Sequence, residues 1–239
     1  MDAGISARAI KKYLESIDSS VTRIMGIFVT HNHHDHIAGL QTLTRKYRIP
    51  VFSSDTVWKN ILKMKSQEGI RLECVRKIEP EKPVELFGLK VEAFRVSHDT
   101  PETLGYHIVC GTRKITVVTD FGHICPQAAK YIKAANFLVI ESNYDKDMLF
   151  NGHYPPALKS RIHGNNGHLD NAVGATFLAK HRNKDLSHIC LAHLSKDNNT
   201  PEIALLTMQT ILYEASLPNT DIPEVYVLER SSPSEVMVL

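Results

Sequence analysis

Residues 30–40 of the chain read THNHHDHIAGL, and this stretch carries four potential metal ligands: His31, His33, Asp35 and His36. An apolar run at residues 24–29 precedes it and an amphipathic pattern at residues 40–47 follows it, so we predict a strand, a loop and a helix. The first two ligands are two residues apart, and an extended backbone points both side chains the same way. The other two fall at the first turn of the helix, which can direct them to the same point. The stretch therefore predicts a metal-binding loop, with a histidine-rich surface turn as the alternative.

Length, composition and charge limit the possible classes of protein. The chain has 239 residues, of which 43% are apolar, and this suits a globular protein with a hydrophobic core. The 28 Lys and Arg residues nearly balance the 26 Asp and Glu residues. The resulting net charge of +2 neither demands nor excludes a nucleic-acid partner. The 13 histidines are the unusual feature of the composition, and they direct attention to metal binding.

Cysteine usage and hydropathy indicate the compartment. The four cysteines form no CxxC pair and lie in or beside apolar runs, which indicates buried, reduced thiols and a cytoplasmic protein. We find no signal peptide and no apolar stretch of the roughly 20 residues needed to span a bilayer. We therefore expect no membrane partner.

The order of the predicted elements indicates an α/β protein. Strands come first in runs and alternate with helices afterwards, which suits two sheets packed face to face with helices outside. Residues 225–228 and 236–239 are predicted as a closing pair of strands. We expect residues 1–239 to form a single domain. Because the chain begins MDAGIS and enters a helical pattern at once, we also expect the first strands of that domain to be missing.

Three more candidate ligands lie just after predicted strands: His98, Asp120 and His193. Each alone has an ordinary explanation as a turn or surface residue. Together with the opening cluster they give five histidines and two aspartates, which is enough for two divalent ions. Imidazole and carboxylate suit zinc or manganese, and the lack of cysteine argues against a closed structural zinc site. Two such ions can share a water and generate hydroxide, which predicts a hydrolase.

The HxHxDH motif, with His98, Asp120 and His193 at later strand ends, resembles the metallo-β-lactamase superfamily. The resemblance implies an αββα sandwich of two mixed sheets with helices on the outer faces and a metal site at one edge. The implied ligands are His31, His33 and His98 for one metal and Asp35, His36 and His193 for the other, with Asp120 as the bridge. Asp2 matches an aspartate that supports the metal-binding loop without binding metal.

Further motifs resemble the bacterial YycJ (WalJ, VicX) branch of that superfamily: DAGIS, SHDTPETLGY, VIESNYDKDML, YPPALKSRI, GHLDNA and LAHLSKDNN. The branch usually has GHLSN and ESNHD, where this chain has Asp170 and Tyr144, so specificity differs if either side chain touches substrate. The branch also begins with a hairpin that this chain lacks. Its members are regarded as nucleases, so the resemblance implies two divalent metal ions and a DNA substrate.

Three other residues are candidates for catalysis or phosphate binding. His168 suits a proton donor to the leaving oxygen, and helix capping or loop packing is the alternative. Lys159 and Arg161 suit phosphate binding, and solvated charges on a short helix are the alternative.

Three more residues are candidates for a supporting role. Ser195 and Asn198 can donate to a phosphate or satisfy a turn. His123 lies three residues past Asp120 and suits a hydrogen-bonding support of the metal ligands.

We therefore expect a di-metal phosphodiesterase, and within that class a DNA nuclease. Asp35, Asp120 and His168 would take part in catalysis, with a metal-bridging hydroxide as nucleophile. Two alternatives stay open, a small-molecule hydrolase of thioester or lactone type and a non-enzymatic regulatory protein that keeps a metal site. The complete ligand set argues against the second. The oligomeric state is left open.

Overall fold

The structure, a computed structural model, describes residues 1–216, 221–230 and 232–237. A small sheet comes first in the chain. Its strands lie side by side in sequence order: β1 (Ile27–Phe28), β2 (Val51–Ser53) and β3 (Val75–Lys77). Both strand pairs are parallel, with Ile27 opposite Val51 and Val51 opposite Val75. Ile27 and Val51 are buried, as expected for parallel strands covered on both faces.

A larger sheet follows, and within the described residues its strands are β4 (Val84–Leu86), β5 (Leu89–Val96), β6 (Thr103–Cys110), β7 (Arg113–Val118), β8 (Phe137–Glu141), β9 (His188–Ala192) and β10 (Glu224–Val227). They lie side by side in chain order. Neighbours from β4 to β7 are antiparallel, and neighbours from β7 to β10 are parallel. Gly88 and Gly111 have φ of 78° and 57°, which permits the tight turns before β5 and β7.

Helices connect and cover the strands: α1 (Ala7–Glu15), α2 (His34–Ile37), α3 (Leu40–Tyr47), α4 (Asp55–Ile61), α5 (Pro126–Ala134), α6 (Lys146–Asn151), α7 (Pro156–His163), α8 (Asn171–His181) and α9 (Pro201–Glu214). Single 3-10 turns occur at Val21–Arg23, Lys65–Gln67 and Leu72–Cys74. Side-chain hydrogen bonds define the first residues of several helices. Ser54 accepts from Val57 N at α4, and Thr200 accepts from Ile203 N at α9. No helix in the described ranges is long and apolar enough to cross a membrane.

Side-chain alternation along β5 defines the layers. Val91 and Ala93 pack in a hydrophobic cluster with the small sheet and with α1, α3 and α4. Phe94 and Val96 belong to a second cluster with α5, α8 and α9 on the other face. The predicted αββα sandwich is confirmed. The larger sheet is mixed as predicted, whereas the small sheet is parallel over its described pairs because helices connect its strands.

The structure differs from the predicted elements around the histidine loop and at the chain end. The predicted helix after the loop is interrupted at Gly39, whose N–H donates to Ala3 O at 2.8 Å instead of continuing a helix from α2 to α3. The first strand of the predicted closing pair is β10, which pairs with β9 in parallel. Residues 238–239 of the second lie outside the described residues, and residues 236–237 form no strand.

Candidate metal centre

All seven predicted ligands come together at one edge of the two sheets. Two lie in the loop after β1, two lie in α2, and the remaining three follow β5, β7 and β9. Because β5, β7 and β9 run in the same direction, their carboxyl ends meet at this edge. The ligand atoms form groups within 4.8 Å of one another: His31 with His33 and His98, His31 with His36 and Asp120, and Asp35 with His36 and His193.

The Asp120 carboxylate lies between these groups. Its Oδ1 is 3.8 Å from His98 Nε2 and 3.4 Å from His193 Nε2. Its Oδ2 is 3.5 Å from His36 Nε2. Asp120 is only 2% exposed, so its carboxylate faces the histidine cluster and not solvent. This position suits a carboxylate shared by two cations.

Hydrogen bonds fix the orientation of three of the five cluster histidines through their Nδ1 atoms. Three pairs carry this role: His36 Nδ1 to Asp2 Oδ2 at 2.9 Å, His98 Nδ1 to Gly167 O at 3.1 Å, and His193 Nδ1 to Glu141 Oε1 at 2.7 Å. Each acceptor is an oxygen, so Nδ1 carries the proton, and in the neutral form of the ring Nε2 keeps its lone pair. These Nε2 atoms are the ones directed at Asp120. Metal-binding histidines are oriented in this way.

Unpartnered buried atoms test whether a metal fits here. Among the described residues, the buried side-chain atoms without a hydrogen-bond partner are Gln67 Oε1, His31 Nε2, His98 Nε2 and Asp120 Oδ2. Three of the four belong to the cluster. Buried polar atoms are almost always satisfied in folded proteins. The residues present therefore fit divalent cations held by imidazole nitrogen and carboxylate oxygen.

The electrostatics of the cluster divide its histidines into two kinds. Burial lowers the pKa of His31 and of His98, so both are neutral near pH 7, as a metal ligand must be. Burial acts the same way on His36, but the hydrogen bond to Asp2 and the charges of Asp2 and Asp120 outweigh it and raise the pKa of His36 to about 9. At His193, Asp120 and Glu141 likewise outweigh burial and raise the pKa to about 9. The carboxylates of Asp2, Asp120 and Glu141 therefore favour a positive charge beside His36 and His193.

The N-terminal DAGIS segment braces the ligand loop. The Asp2 carboxylate accepts hydrogen bonds from Thr30 N at 2.8 Å and from Thr30 Oγ1 at 2.9 Å, in addition to the bond from His36. Ala3 N donates to His36 O at 2.8 Å. A Cβ on Gly4 would lie 1.6 Å from Asp35 O, so only glycine permits this approach. Asp2 therefore hydrogen-bonds both to the loop at Thr30 and to His36, one of the predicted ligands.

Three residues at the centre adopt backbone conformations that L-residues rarely take. Asp2, Asp120 and His193 have φ of 49°, 58° and 57°. Each such residue costs about 1–3 kcal/mol and persists only where its surroundings enforce it, and conformations of this kind cluster at functional sites. The sharp turn after β7 and after β9 directs each side chain back over the sheet edge.

Glu141, at the end of β8, is a residue that the motif analysis missed. Its Oε1 accepts from His168 Nδ1 at 2.8 Å and from His193 Nδ1. Its Oε2 accepts from the backbone N–H groups of Phe121 and Leu169 at 3.0 and 3.1 Å. Burial would raise the pKa of Glu141, but the bonds to the two histidines hold it well below its usual range. The sequence signal that could have identified Glu141 is its position as the one polar residue at the end of an otherwise apolar strand.

His168 and Arg161 lie beside the cluster. The His168 ring is 5.0 Å from that of His98, measured between centroids, and His168 lines a cavity of about 270 Å³. The bond to Glu141 outweighs burial and raises the pKa of His168. Arg161 lines the same cavity, where its Nε donates to Asp99 Oδ2 at 2.7 Å. Ser195 also lines this cavity.

Three residues that were predicted to bind phosphate or to support the ligands point elsewhere. The Lys159 ammonium donates to Phe150 O and Gly152 O at 2.8 and 2.7 Å, so it ties α6 to α7 instead of facing the cavity. Asn198 is 1% exposed and donates to Ser195 Oγ within its own turn. His123 Nδ1 donates to Asn165 O at 2.9 Å, and His123 belongs to none of the ligand groups found in the part of the chain described.

The two departures from the usual motifs have structural roles. Asp170 is the N-cap of α8 and accepts from Ala172 N and Val173 N at 2.7 and 3.1 Å. The Tyr144 hydroxyl lies 2.8 Å from His163 Nδ1, and its ring is buried. Neither side chain lines the cavity beside the cluster.

Comparisons with known proteins identify relatives of this chain and agree with its fold. The sequence model of the beta-lactamase superfamily domain matches residues 1–189. The chain is 34% identical to the exodeoxyribonuclease YycJ of Bacillus anthracis over 237 residues, which cover 99% of this chain and 89% of that protein. It is 31% identical to the exodeoxyribonuclease WalJ of Streptococcus pneumoniae over 217 residues, or 91% and 81% of the two chains. The metallo-beta-lactamase fold protein YhfI of Bacillus subtilis superposes with a TM-score of 0.65 at 15% identity, covering 95% of this chain and 82% of its own, and shares the fold.

The Glu141→Gln variant tests the orientation of His193. The glutamine amide has one acceptor oxygen. If this oxygen keeps the hydrogen bonds from Phe121 N and Leu169 N, the NH₂ group must face the imidazoles of His168 and His193. His193 must then accept at Nδ1 and carry its proton on Nε2, where it blocks a metal. We expect zinc affinity, measured by competition with a chromogenic chelator, to fall about 10- to 100-fold.

The exposed Glu214→Gln variant is the matched control and should bind zinc as the unmodified protein does. Unchanged zinc affinity in Glu141→Gln would contradict the role assigned to this carboxylate.

Proposed function

Because this chain belongs to the beta-lactamase superfamily, in the branch of the YycJ and WalJ exodeoxyribonucleases, we propose that it is a two-metal phosphodiesterase that cuts DNA. The single observation that carries the proposal is the buried Asp120 carboxylate, which lies within 4 Å of Nε2 atoms from both sets of predicted ligands. The relatives act on DNA by name, and this favours DNA over other phosphodiesters.

We assign the metal ligands as two sets. His31, His33 and His98 would hold one ion, and Asp35, His36 and His193 would hold the other, with Asp120 between them. The grouping of the ligand atoms within 4.8 Å supports both sets. Zinc and manganese both suit imidazole and carboxylate ligands, and we propose that either supports activity. When bound, two such ions would polarise the reacting phosphoryl oxygen and activate water.

His168 is the proposed proton donor to the leaving oxygen. Its Nδ1 is engaged by Glu141, so Nε2 is the nitrogen that can serve the substrate. The Glu141 carboxylate raises the pKa of His168, so the imidazolium form persists to higher pH than in a free histidine. A proton delivered as the phosphorus–oxygen bond breaks converts a poor alkoxide leaving group into an alcohol.

The cavity beside the cluster supports a phosphodiester substrate. Its volume is about 270 Å³, and polar groups such as Ser195 and Asn143 line it together with the cluster residues. The Arg161 guanidinium lies on its wall, paired with Asp99. Cationic and hydrogen-bonding groups of this kind bind phosphate oxygens.

We further propose that residues 1–239 form a single domain acting in the cytoplasm. The two sheets share one hydrophobic cluster, which supports a single folding unit. Cys74, Cys110, Cys125 and Cys190 are free thiols, as expected in a reducing compartment.

The Asp35→Ala variant tests the assigned chemistry. The Asp35 side chain is 71% exposed, so its removal should leave the melting temperature unchanged. Loss of a residue that supports a ligand costs up to about 100-fold in activity, and loss of a ligand itself should cost at least that. We expect DNA hydrolysis by the metal-loaded protein, measured on end-labelled oligonucleotides, to fall by about 100-fold or more.

The exposed Asp147→Ala variant is the control and should keep full activity. Full hydrolysis by Asp35→Ala with a complete metal load would contradict the assigned mechanism.

The His168→Asn variant tests proton donation. Asparagine keeps an N–H for Glu141 but has no second nitrogen that can protonate the substrate. We expect DNA hydrolysis to fall about 10²- to 10⁴-fold, because the leaving alkoxide needs a proton. Hydrolysis of thymidine 5′-(4-nitrophenyl phosphate) should fall far less, because 4-nitrophenolate leaves without one.

The metal content of His168→Asn, measured by mass spectrometry, should equal that of the unmodified protein. An equal loss on both substrates would refute His168 as the donor.

A further inference from the structure

Two cavities open onto the metal-ligand cluster. The first, about 270 Å³, lies on the side of His168 and includes Tyr154 and Ser195 in its wall. The second, about 380 Å³, lies on the side of His36 and includes Gly4. The two share three lining residues: Asp35, His193 and Arg230. Asp35 and His193 are assigned metal ligands, so Arg230 is the shared residue that the proposed function leaves without a role.

The strand ladder explains why Arg230 reaches this junction. β10 pairs in parallel with β9, with Val227 opposite Leu191. The ladder continues one bond further, because Leu228 N donates to Leu191 O at 2.8 Å. Since parallel strands end at the same edge, the chain leaving β10 emerges beside the chain leaving β9. Arg230 therefore lies at the edge where His193 lies.

The charge of Arg230 is available to a ligand. Arg161 is the other arginine in the first cavity, and Asp99 already accepts its hydrogen bonds. No hydrogen bond or ion pair joins Arg230 to any other residue within the described ranges, and its side chain is exposed. A guanidinium presents a planar fork of donors that matches two phosphate oxygens. An unpaired fork at the junction of two cavities is suited to a phosphate that spans them.

We propose that Arg230 is a substrate-binding residue that holds a phosphate adjoining the reacting one. A nucleic-acid strand that occupies both cavities passes over the cluster, and its backbone carries one phosphate per nucleotide. The reacting phosphate lies at Asp35 and His193, and Arg230 holds a neighbouring phosphate and so fixes the register of the strand. This inference rests on the proposed phosphodiesterase function. It predicts that Arg230 matters only for substrates with more than one phosphate.

The experiment compares Arg230→Gln and Arg230→Lys with the unmodified metal-loaded protein on two substrates. One is an end-labelled DNA oligonucleotide and the other is bis(4-nitrophenyl) phosphate, which has a single phosphate. We expect Arg230→Gln to raise KM for DNA about tenfold, with kcat changed less than about twofold. The slope of log KM against log salt should fall by about one, since one phosphate contact is lost. Hydrolysis of bis(4-nitrophenyl) phosphate should be unchanged, and Arg230→Lys should recover part of the KM.

Arg113→Gln is the matched control, because Arg113 is exposed at the opposite end of β7 from Asp120. Melting temperature and metal content should be the same in all variants. A KM and salt slope for Arg230→Gln equal to those of Arg113→Gln would overturn the role of Arg230 while leaving the proposed function standing. An equal loss on both substrates would also overturn it, because Arg230 would then act on the reacting phosphate. Failure of the unmodified metal-loaded protein to hydrolyse either substrate would overturn the proposed function and this inference together.

Discussion

The protonation of Nδ1 in His36, His98 and His193 is the constraint on which the rest of the site depends. A histidine binds metal through whichever nitrogen lacks a proton, and the partner of the other nitrogen decides which one that is. Here Asp2, Gly167 and Glu141 each supply an oxygen to an Nδ1 atom. The Nε2 lone pairs are therefore directed at one volume, with the Asp120 carboxylate at its centre. Ligand identity alone does not produce this arrangement, because the acceptors behind the rings are needed as well.

The fold supplies those acceptors by bringing distant segments to one edge. Glu141 ends β8 between the strands that precede Asp120 and His193, and its Oε1 atom accepts from both His193 and His168. Its second oxygen accepts hydrogen bonds from two backbone N–H groups, and these bonds stabilise the ionised carboxylate in a buried position. The N-terminal segment plays the matching role for the loop after β1. Glu141 and Asp2, which orient ligands, are thus held in place by strands of the two sheets.

Sequence patterns predicted the ligands because the signal is local. Histidines two residues apart after an apolar run share a direction, and single ligands at strand ends meet when the strands run in the same direction. The layer order also followed from the sequence of strands and helices. The break at Gly39 was not predictable from periodicity, since it depends on the N-terminal segment 36 residues away.

The supporting groups were the least predictable part of the site. Asp2 was found through a motif, whereas the bonds from His193 to Glu141 and from His98 to the Gly167 carbonyl join residues 52 and 69 positions apart, and such pairings cannot be read from a local pattern. Lys159 looked like a phosphate-binding residue from its charge, but two carbonyls near α6 hold its ammonium. Arg230 was overlooked because its place depends on β10 pairing with β9, and not on any motif.

The most direct test of this account is anomalous diffraction from crystals of the full chain grown with zinc. We expect two anomalous peaks, one about 2.0–2.1 Å from Nε2 of His31, His33 and His98, and the other at the same distance from Nε2 of His36 and His193. Both should contact Asp120. A single peak, peaks outside this cluster, or coordination through Nδ1 would contradict the central claim that the hydrogen bonds behind the rings prepare Nε2 for two metals.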